Sequence, residues 1–195
     1  TKIGSQIMNE FTPRKARLCF LTLLAISLTA GASENMIDDF ELNSNIQWSY
    51  VSDQVMGGIS EGVANFGRDD QGAFAHMKGT VSTANNGGFI QLRTNLPSGA
   101  QKESSGVYLK ARGNGQKYYI HLRTRGTMLP WQYYQSGFEV SDEWQTIKLP
   151  MDSFEASGSW IRKSAKPTSI RSIGIVAYGR DHKADIQVSE IGFYD

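Results

Sequence analysis

The chain has 195 residues, with 20 basic and 19 acidic side chains, three histidines and a single cysteine. That length is one domain by the usual prior, and the near-balanced charge excludes a protein that holds nucleic acid by neutralising many phosphates. The only cysteine, Cys19, leaves no pairing partner for a disulfide and no set of thiolates for a metal.

From Met8 the chain reads as an export signal. Arg14, Lys15 and Arg17 form a basic leader, Leu18 to Leu28 is mostly apolar, and Ala30-Gly31-Ala32 is a small-residue cleavage site. The apolar run falls short of the roughly 20 residues a helical membrane span needs. Residues 1–32 are therefore expected to be leader and signal, and 33–195 a single exported domain, periplasmic or extracellular, with no membrane span after cleavage. Cleavage would remove four basic residues and one acidic residue, leaving 16 basic and 18 acidic, a net charge of about −2.

Beyond the signal almost every run alternates with period two, and no helical stripe is sustained. Strands are predicted over 36–41, 46–51, 59–66, 73–80, 88–94, 106–112, 117–124, 131–140, 144–149, 170–178 and 185–194. Between them stand turn signals: Gly57-Gly58, Asp69-Asp70-Gln71-Gly72, Asn86-Gly87-Gly88, Pro97-Ser98-Gly99 and Gly113-Asn114-Gly115. Many short strands at near-regular spacing predict an all-β antiparallel sandwich. Residues 151–169 are the one long irregular stretch, with at most a short helical turn near 152–154.

The ordered motifs resemble a known family. Trp48 through Ser60 (with Asp53, Gly57 and Gly58), Gly79-Thr80-Val81-Ser82 leading into Asn86-Gly87-Gly88-Phe89 and Arg93, then Gly106-Val107-Tyr108-Leu109 ahead of Arg112-Gly113-Asn114-Gly115 and Tyr118, are similar to the complex I intermediate-associated protein 30 family. The likeness continues through 144–150 and Phe154, 170–175, and 191–194. It implies a galactose-binding-like jelly roll, related in fold to some carbohydrate-binding modules, whose mitochondrial members assist assembly of respiratory complex I (NADH:ubiquinone oxidoreductase). It implies no catalytic residues. This chain has Asn114 where the family usually has aspartate, Met77 and Met151 where it has phenylalanine, and Glu155-Ala-Ser-Gly-Ser-Trp160 in place of an Arg-Gly segment. An exported domain would sit on the opposite side of the membrane from the assembly role, so the fold carries over more directly than that role.

Candidate chemistry is sparse. Gly58-Ile59-Ser60-Glu61-Gly62 spells the G-x-S-x-G nucleophile elbow, with Asp152 and His182 following in hydrolase order. The elbow requires a strand-to-helix turn, however, and here an alternating run follows. His76, His121 and His182 show no metal-ligand spacing. Asp38-Asp39 and Asp69-Asp70 could supply oxygens to a structural calcium ion, but such pairs more often cap turns; no other cofactor is implied. Asp53 and the Gly57-Gly58 and Asn86-Gly87-Gly88 turns have two readings: a carboxylate binding loop N–H groups around glycines of special φ, or a bare backbone open to a ligand.

Strand parity yields the more suggestive group. Arg93 in 88–93, Arg112 in 106–112, and Tyr119, His121 and Arg123 in 117–125 point to one face if those strands are neighbours, with Trp131, Tyr133 and Tyr134 following. Aromatic rings beside forked donors suit a sugar, stacking on its apolar side and bonding its hydroxyls. The expectation is a non-catalytic module that binds a glycan or protein partner through Arg93, Arg112, Tyr119, His121, Arg123 and Tyr134. An assembly factor or chaperone for a membrane respiratory complex, and a glycan-active hydrolase, are the alternatives.

Overall fold

The computed structural model describes residues 34–97 and 102–195; the expected signal at 8–32, Cys19 and the Ser98-Gly99 turn lie outside them. The eleven alternating runs each yield a strand, and the stretch 151–169, expected to be irregular, adds a short twelfth, β10: β1 (Glu34–Asp38), β2 (Ser49–Ser52), β3 (Glu61–Asp69), β4 (Gly72–Val81), β5 (Phe89–Asn95), β6 (Gly106–Gly113), β7 (Lys117–Thr124), β8 (Tyr134–Glu139), β9 (Gln145–Pro150), β10 (Glu155–Ala156), β11 (Ile170–Tyr178) and β12 (His182–Tyr194). Short 3-10 turns occupy Asp53–Met56, Ala84–Asn86, Met151–Ser153 and Pro167–Ser169. No helix among the described residues is long and apolar enough to cross a membrane.

Every pairing is antiparallel, and the strands form two sheets. One runs β3-β4-β12-β6-β9, with β1 also on β12; the other runs β10-β8-β7-β11-β5-β2. β12, at 13 residues, is long enough for β4 to pair with its first half and β1 with its last four residues. Consecutive strands often belong to opposite sheets, which is the crossing pattern of a jelly roll.

The period-two faces meet between the sheets. Met77, Leu109, Ile186 and Ile191 from the first sheet pack against Ile90, Leu92, Ile120, Leu122, Ile173 and Ile175 from the second, all within 2% of full burial. Burial of each such side chain contributes about 1.5–3 kcal/mol. β-Branched residues dominate because they suit a pleated, half-buried surface. Tyr118 is wholly buried too; its hydroxyl donates to Asn114 Oδ1 (2.6 Å) and accepts the Asp185 N–H (2.8 Å). Asn114 in turn donates through Nδ2 to the Lys183 carbonyl (2.9 Å), a bond that aspartate, lacking a donor, would not make.

Both candidate calcium pairs are used as turn caps. Asp38 accepts the Phe40 N–H (2.9 Å) and the Trp48 indole N–H (2.6 Å); Asp69 accepts the Gln71 N–H (2.9 Å) and Arg112 Nη2 (3.1 Å). Among the described residues no three His, Cys, Asp or Glu side chains gather as a metal group.

Candidate functional site

The Trp48–Ser60 segment and the 85–88 turn converge on one side chain. Asp53 is fully buried at the start of its 3-10 turn. Its Oδ1 accepts the Ser60 N–H (2.9 Å), and its Oδ2 accepts the Ser60 hydroxyl (2.5 Å) and the N–H groups of Gly88 (2.5 Å) and Phe89 (3.2 Å). A methyl group at Gly58 or Gly87 would collide with this carboxylate. Gly57 and Gly88 adopt φ of 88° and 130°, where only glycine is comfortable, and Asn85 and Asn86 take left-handed φ of 56° and 58°. Burial alone would raise the Asp53 pKa; the Ser60 hydroxyl and the three N–H groups outweigh it and hold the carboxyl below its ordinary range. Ser60 has no exposed surface and precedes β3, so it is neither a residue of that strand nor a presented nucleophile.

The predicted face divides between the two sheets. β5 and β7 both flank β11 in the second sheet, so Arg93, Tyr119, His121 and Arg123 do share its outer surface. Arg112 does not. Its strand, β6, crosses to the first sheet, where Arg112 bonds Gln187 (Nε to Oε1, 2.6 Å) and Asp69 and lies 4.6 Å from the Trp144 ring centroid. Tyr134 is a second correction: it pairs with Leu122, points into the core and is 2% exposed. The strand begins at Tyr134 rather than at Trp131, and it is Tyr133, just before it, whose ring stacks on His121 at 4.1 Å and 9°.

The register places the residues of the outer face in rows across the strands. One row runs Glu155, Gln135, His121, Gly174, Arg93 and Ser49; the next runs Gly137, Tyr119, Val176, Gln91 and Val51. Tyr178 closes the aromatic group, edge-on to Tyr119 (6.0 Å), His121 (5.7 Å) and Tyr133 (6.4 Å). Gly174 and Val176 form a low floor between these rings and the Gln91–Arg93 side. A side chain at Gly174 would press on Gln91 Oε1 (3.3 Å) and Arg93 Cβ (3.4 Å).

Unsatisfied polar atoms concentrate here. His121 Nε2, Arg123 Nε and Gln135 Oε1 are buried without hydrogen-bond partners, three of eight such side-chain atoms among the described residues. Desolvation pushes the His121 pKa down to about 3, and Gln135 counters this only in part, so the imidazole is neutral. Burial, together with the Tyr178 phenol beside it, raises the Tyr133 hydroxyl and keeps it protonated. Rings, amides and guanidinium donors around a glycine-valine floor can stack on and bond a polyhydroxylated ligand.

At the Arg123 end, loops close the face. Arg123 Nη2 donates to the Leu129 carbonyl (2.9 Å), and Ser157 ties Trp131 and Tyr133 to the 155–158 segment. A pocket of about 360 Å³ opens there, lined by Leu129, Trp131, Gln132, Ser157, Trp160 and Ile161. Trp131 and Trp160, which both border this pocket, are 66% and 92% exposed.

Several solved structures share this fold. The family 11 carbohydrate-binding module from Clostridium thermocellum, in complex with a β-1,3-1,4-mixed-linked tetrasaccharide, superposes with a TM-score of 0.64 at 19% identity over 82% of this chain and 94% of its own. The family 11 module of the cellulosomal cellulase Lic26A-Cel5E of Clostridium thermocellum gives 0.66 at 15%, over 85% and 97%. A family 30 carbohydrate-binding module gives 0.58 at 11%, over 84% and 99%. At these identities the likeness is one of fold. No curated protein matches the sequence closely enough to count as a relative. The model of the complex I intermediate-associated protein 30 family matches residues 38–189, and the chain belongs to that family.

Proposed function

We propose that this chain is a non-catalytic glycan-binding module, exported to the periplasm or beyond, that engages its ligand through the outer face of the β10-β8-β7-β11-β5-β2 sheet. One observation carries the reading: the cluster of Tyr119, His121, Tyr133 and Tyr178 beside buried, unpartnered nitrogen and oxygen atoms of His121 and Gln135. Rings alone would suit any apolar partner. Unsatisfied polar atoms placed among them favour a ligand that is apolar on one side and hydroxylated at its rim. The carbohydrate-binding modules that share the fold support this reading.

Glycan-array and calorimetric binding of the wild type, Tyr119→Ala and Tyr178→Ala tests it. Loss of binding in both variants with an unchanged melting profile is expected; binding that survives both would remove this face. Membership of the complex I intermediate-associated protein 30 family favours a second reading, an assembly factor for a respiratory complex. A reporter fused at the C-terminus, showing which side of the membrane the domain occupies, separates the two.

A further inference from the structure

Three guanidinium groups gather at one end of the proposed glycan face. Arg93 on β5 and Arg123 on β7 flank β11, and Arg171 sits in the β11 bulge between Ile170 and Ser172. Arg123 and Arg171 both turn Nη2 towards the Thr127 carbonyl, at 3.4 and 2.7 Å, so their charges lie side by side. Among the described residues none of the three has a carboxylate within ion-pairing distance, although Arg68, Arg112, Lys78 and Lys148 each have one. Arg93 is exposed and makes no side-chain hydrogen bond there, and Arg123 Nε is buried without an acceptor. Burial first, then the positive charges of Arg171 and Arg93, hold Arg123 below the usual guanidinium range.

Like charges crowded on adjacent strands destabilise a sheet. The outer-face carboxylates do not relieve this crowding. Glu155 lies on the β10 edge, two strands from Arg123 and four from Arg93, about 10 and 19 Å at strand spacing. Glu139 pairs with Lys117 across β7 and β8, at the far end of the face. The forked donors of arginine match carboxylate and sulfate oxygens two at a time.

We infer that the glycan bound on this face is anionic, a polysaccharide bearing carboxylate or sulfate groups that Arg93, Arg123 and Arg171 receive. The inference rests on the glycan reading above and goes beyond it to the ligand's charge. β5 and β7 are two strands apart, so Arg93 and Arg123 would meet acidic groups on separate sugar units of the chain.

The test is calorimetry with the whole chain and four probes: polygalacturonate, a sulfated galactan, neutral mixed-linkage β-glucan and a single-stranded DNA oligonucleotide. Binding to one or both acidic glycans is expected, with the carboxylate and sulfate arms deciding which group is read. Arg93→Gln and Arg171→Gln should each weaken it about tenfold, as expected for loss of a charge-assisted contact, and added salt should weaken it further. Arg93→Lys should recover part of the loss, and neither site is in the core, so folding is preserved. Tighter binding of the neutral glucan, or acidic-glycan binding unmoved by both glutamine variants, overturns the anionic ligand and leaves the glycan face standing. Equal affinity for the oligonucleotide overturns it as a general polyanion surface. Binding to none of the glycans overturns both readings.

Discussion

Asp53→Ala should be among the most damaging single changes available in this domain, though it removes few atoms. The carboxylate accepts three backbone N–H groups and one hydroxyl in a site with no exposed surface. Ser60 has an alternative acceptor in the Ser82 carbonyl (3.2 Å), so its hydroxyl can be rescued. The N–H groups of Ser60, Gly88 and Phe89 cannot. At about 1–3 kcal/mol for each of the three buried donors left unpaired, the loss is roughly 3–9 kcal/mol. A domain of this size loses about 2–4 °C of Tm per kcal/mol, so calorimetry should show a drop on the order of 10–30 °C. The Asp53→Asn variant, keeping one carbonyl oxygen but turning an amide N–H₂ towards existing donors, should fall between alanine and wild type. Because the folded pKa lies below the unfolded value of 3.8, the Asp53 contribution is complete above that pH and disappears as pH falls through the folded value. Acid titration of Tm should therefore show a low-pH loss in the wild type that Asp53→Asn lacks. A Tm within about 2 °C of wild type for Asp53→Ala would refute the reasoning, being no more than about 1 kcal/mol. So would loss of glycan binding with stability intact, since the carboxylate would then belong to the ligand.

Three further outcomes follow from the placement of individual side chains. Arg112→Ala should leave ligand binding unchanged while lowering stability by about 1–2 kcal/mol, from its bonds to Gln187 and Asp69 and its place over Trp144; weakened binding would contradict the assignment of β6 to the other sheet. His121, neutral when folded with a pKa of about 3 against 6.5 unfolded, should cost stability as pH falls from 6.5 towards 3, by up to about 1.4 kcal/mol per unit; chemical denaturation of His121→Phe should lack that component, and an unchanged pH profile would place the ionisation elsewhere. Tyr133→Ala should abolish glycan binding whereas Tyr134→Phe should leave it intact, because one ring stacks on His121 at the surface and the other packs in the core; the reverse pattern in a binding assay would sink the register.

The sandwich was legible in the sequence because period two is a local property. Each run shows which of its own side chains share a face, and this parity is observed in β5, β6 and β7 alike: Val107, Leu109 and Ala111 are core residues, while Arg112 faces out. Parity does not say which sheet a strand joins. β6 alternates as cleanly as β7, yet its hydrogen bonds go to β12 and β9, and that choice depends on residues far along the chain, such as Gln187 opposite Arg112. The same non-locality hid β11. Its run from Ile170 to Tyr178 reads as an ordinary core strand, but insertion between β5 and β7 makes Gly174, Val176 and Tyr178 the centre of the face. A glycine within a β-branched run was the available signal, since such a position often marks a close approach. Tyr134 was misplaced for a different reason. Two adjacent aromatics at a strand entrance must point opposite ways, and only the loop that stacks Tyr133 on His121 decides which is outside.

The Trp48–Ser60 motif and the candidate face are mechanically joined, which explains why a segment without chemistry can matter for recognition. Asp53 grips the N–H groups of Gly88 and Phe89 at the point where β5 begins. From there the strand presents Phe89, Gln91 and Arg93 at alternate positions, opposite Tyr178, Val176 and Gly174 of β11. A one-residue slip at Gly88 would exchange these for Ile90, Leu92 and Thr94, putting apolar residues outward and polar ones into the core. The buried carboxylate thus fixes where β5 starts, and through it which side chains a ligand meets. Glycines at 57, 58, 87 and 88 let two turns close on Asp53 without steric conflict. On this view the turns set the register, and the guanidinium and aromatic side chains read the ligand.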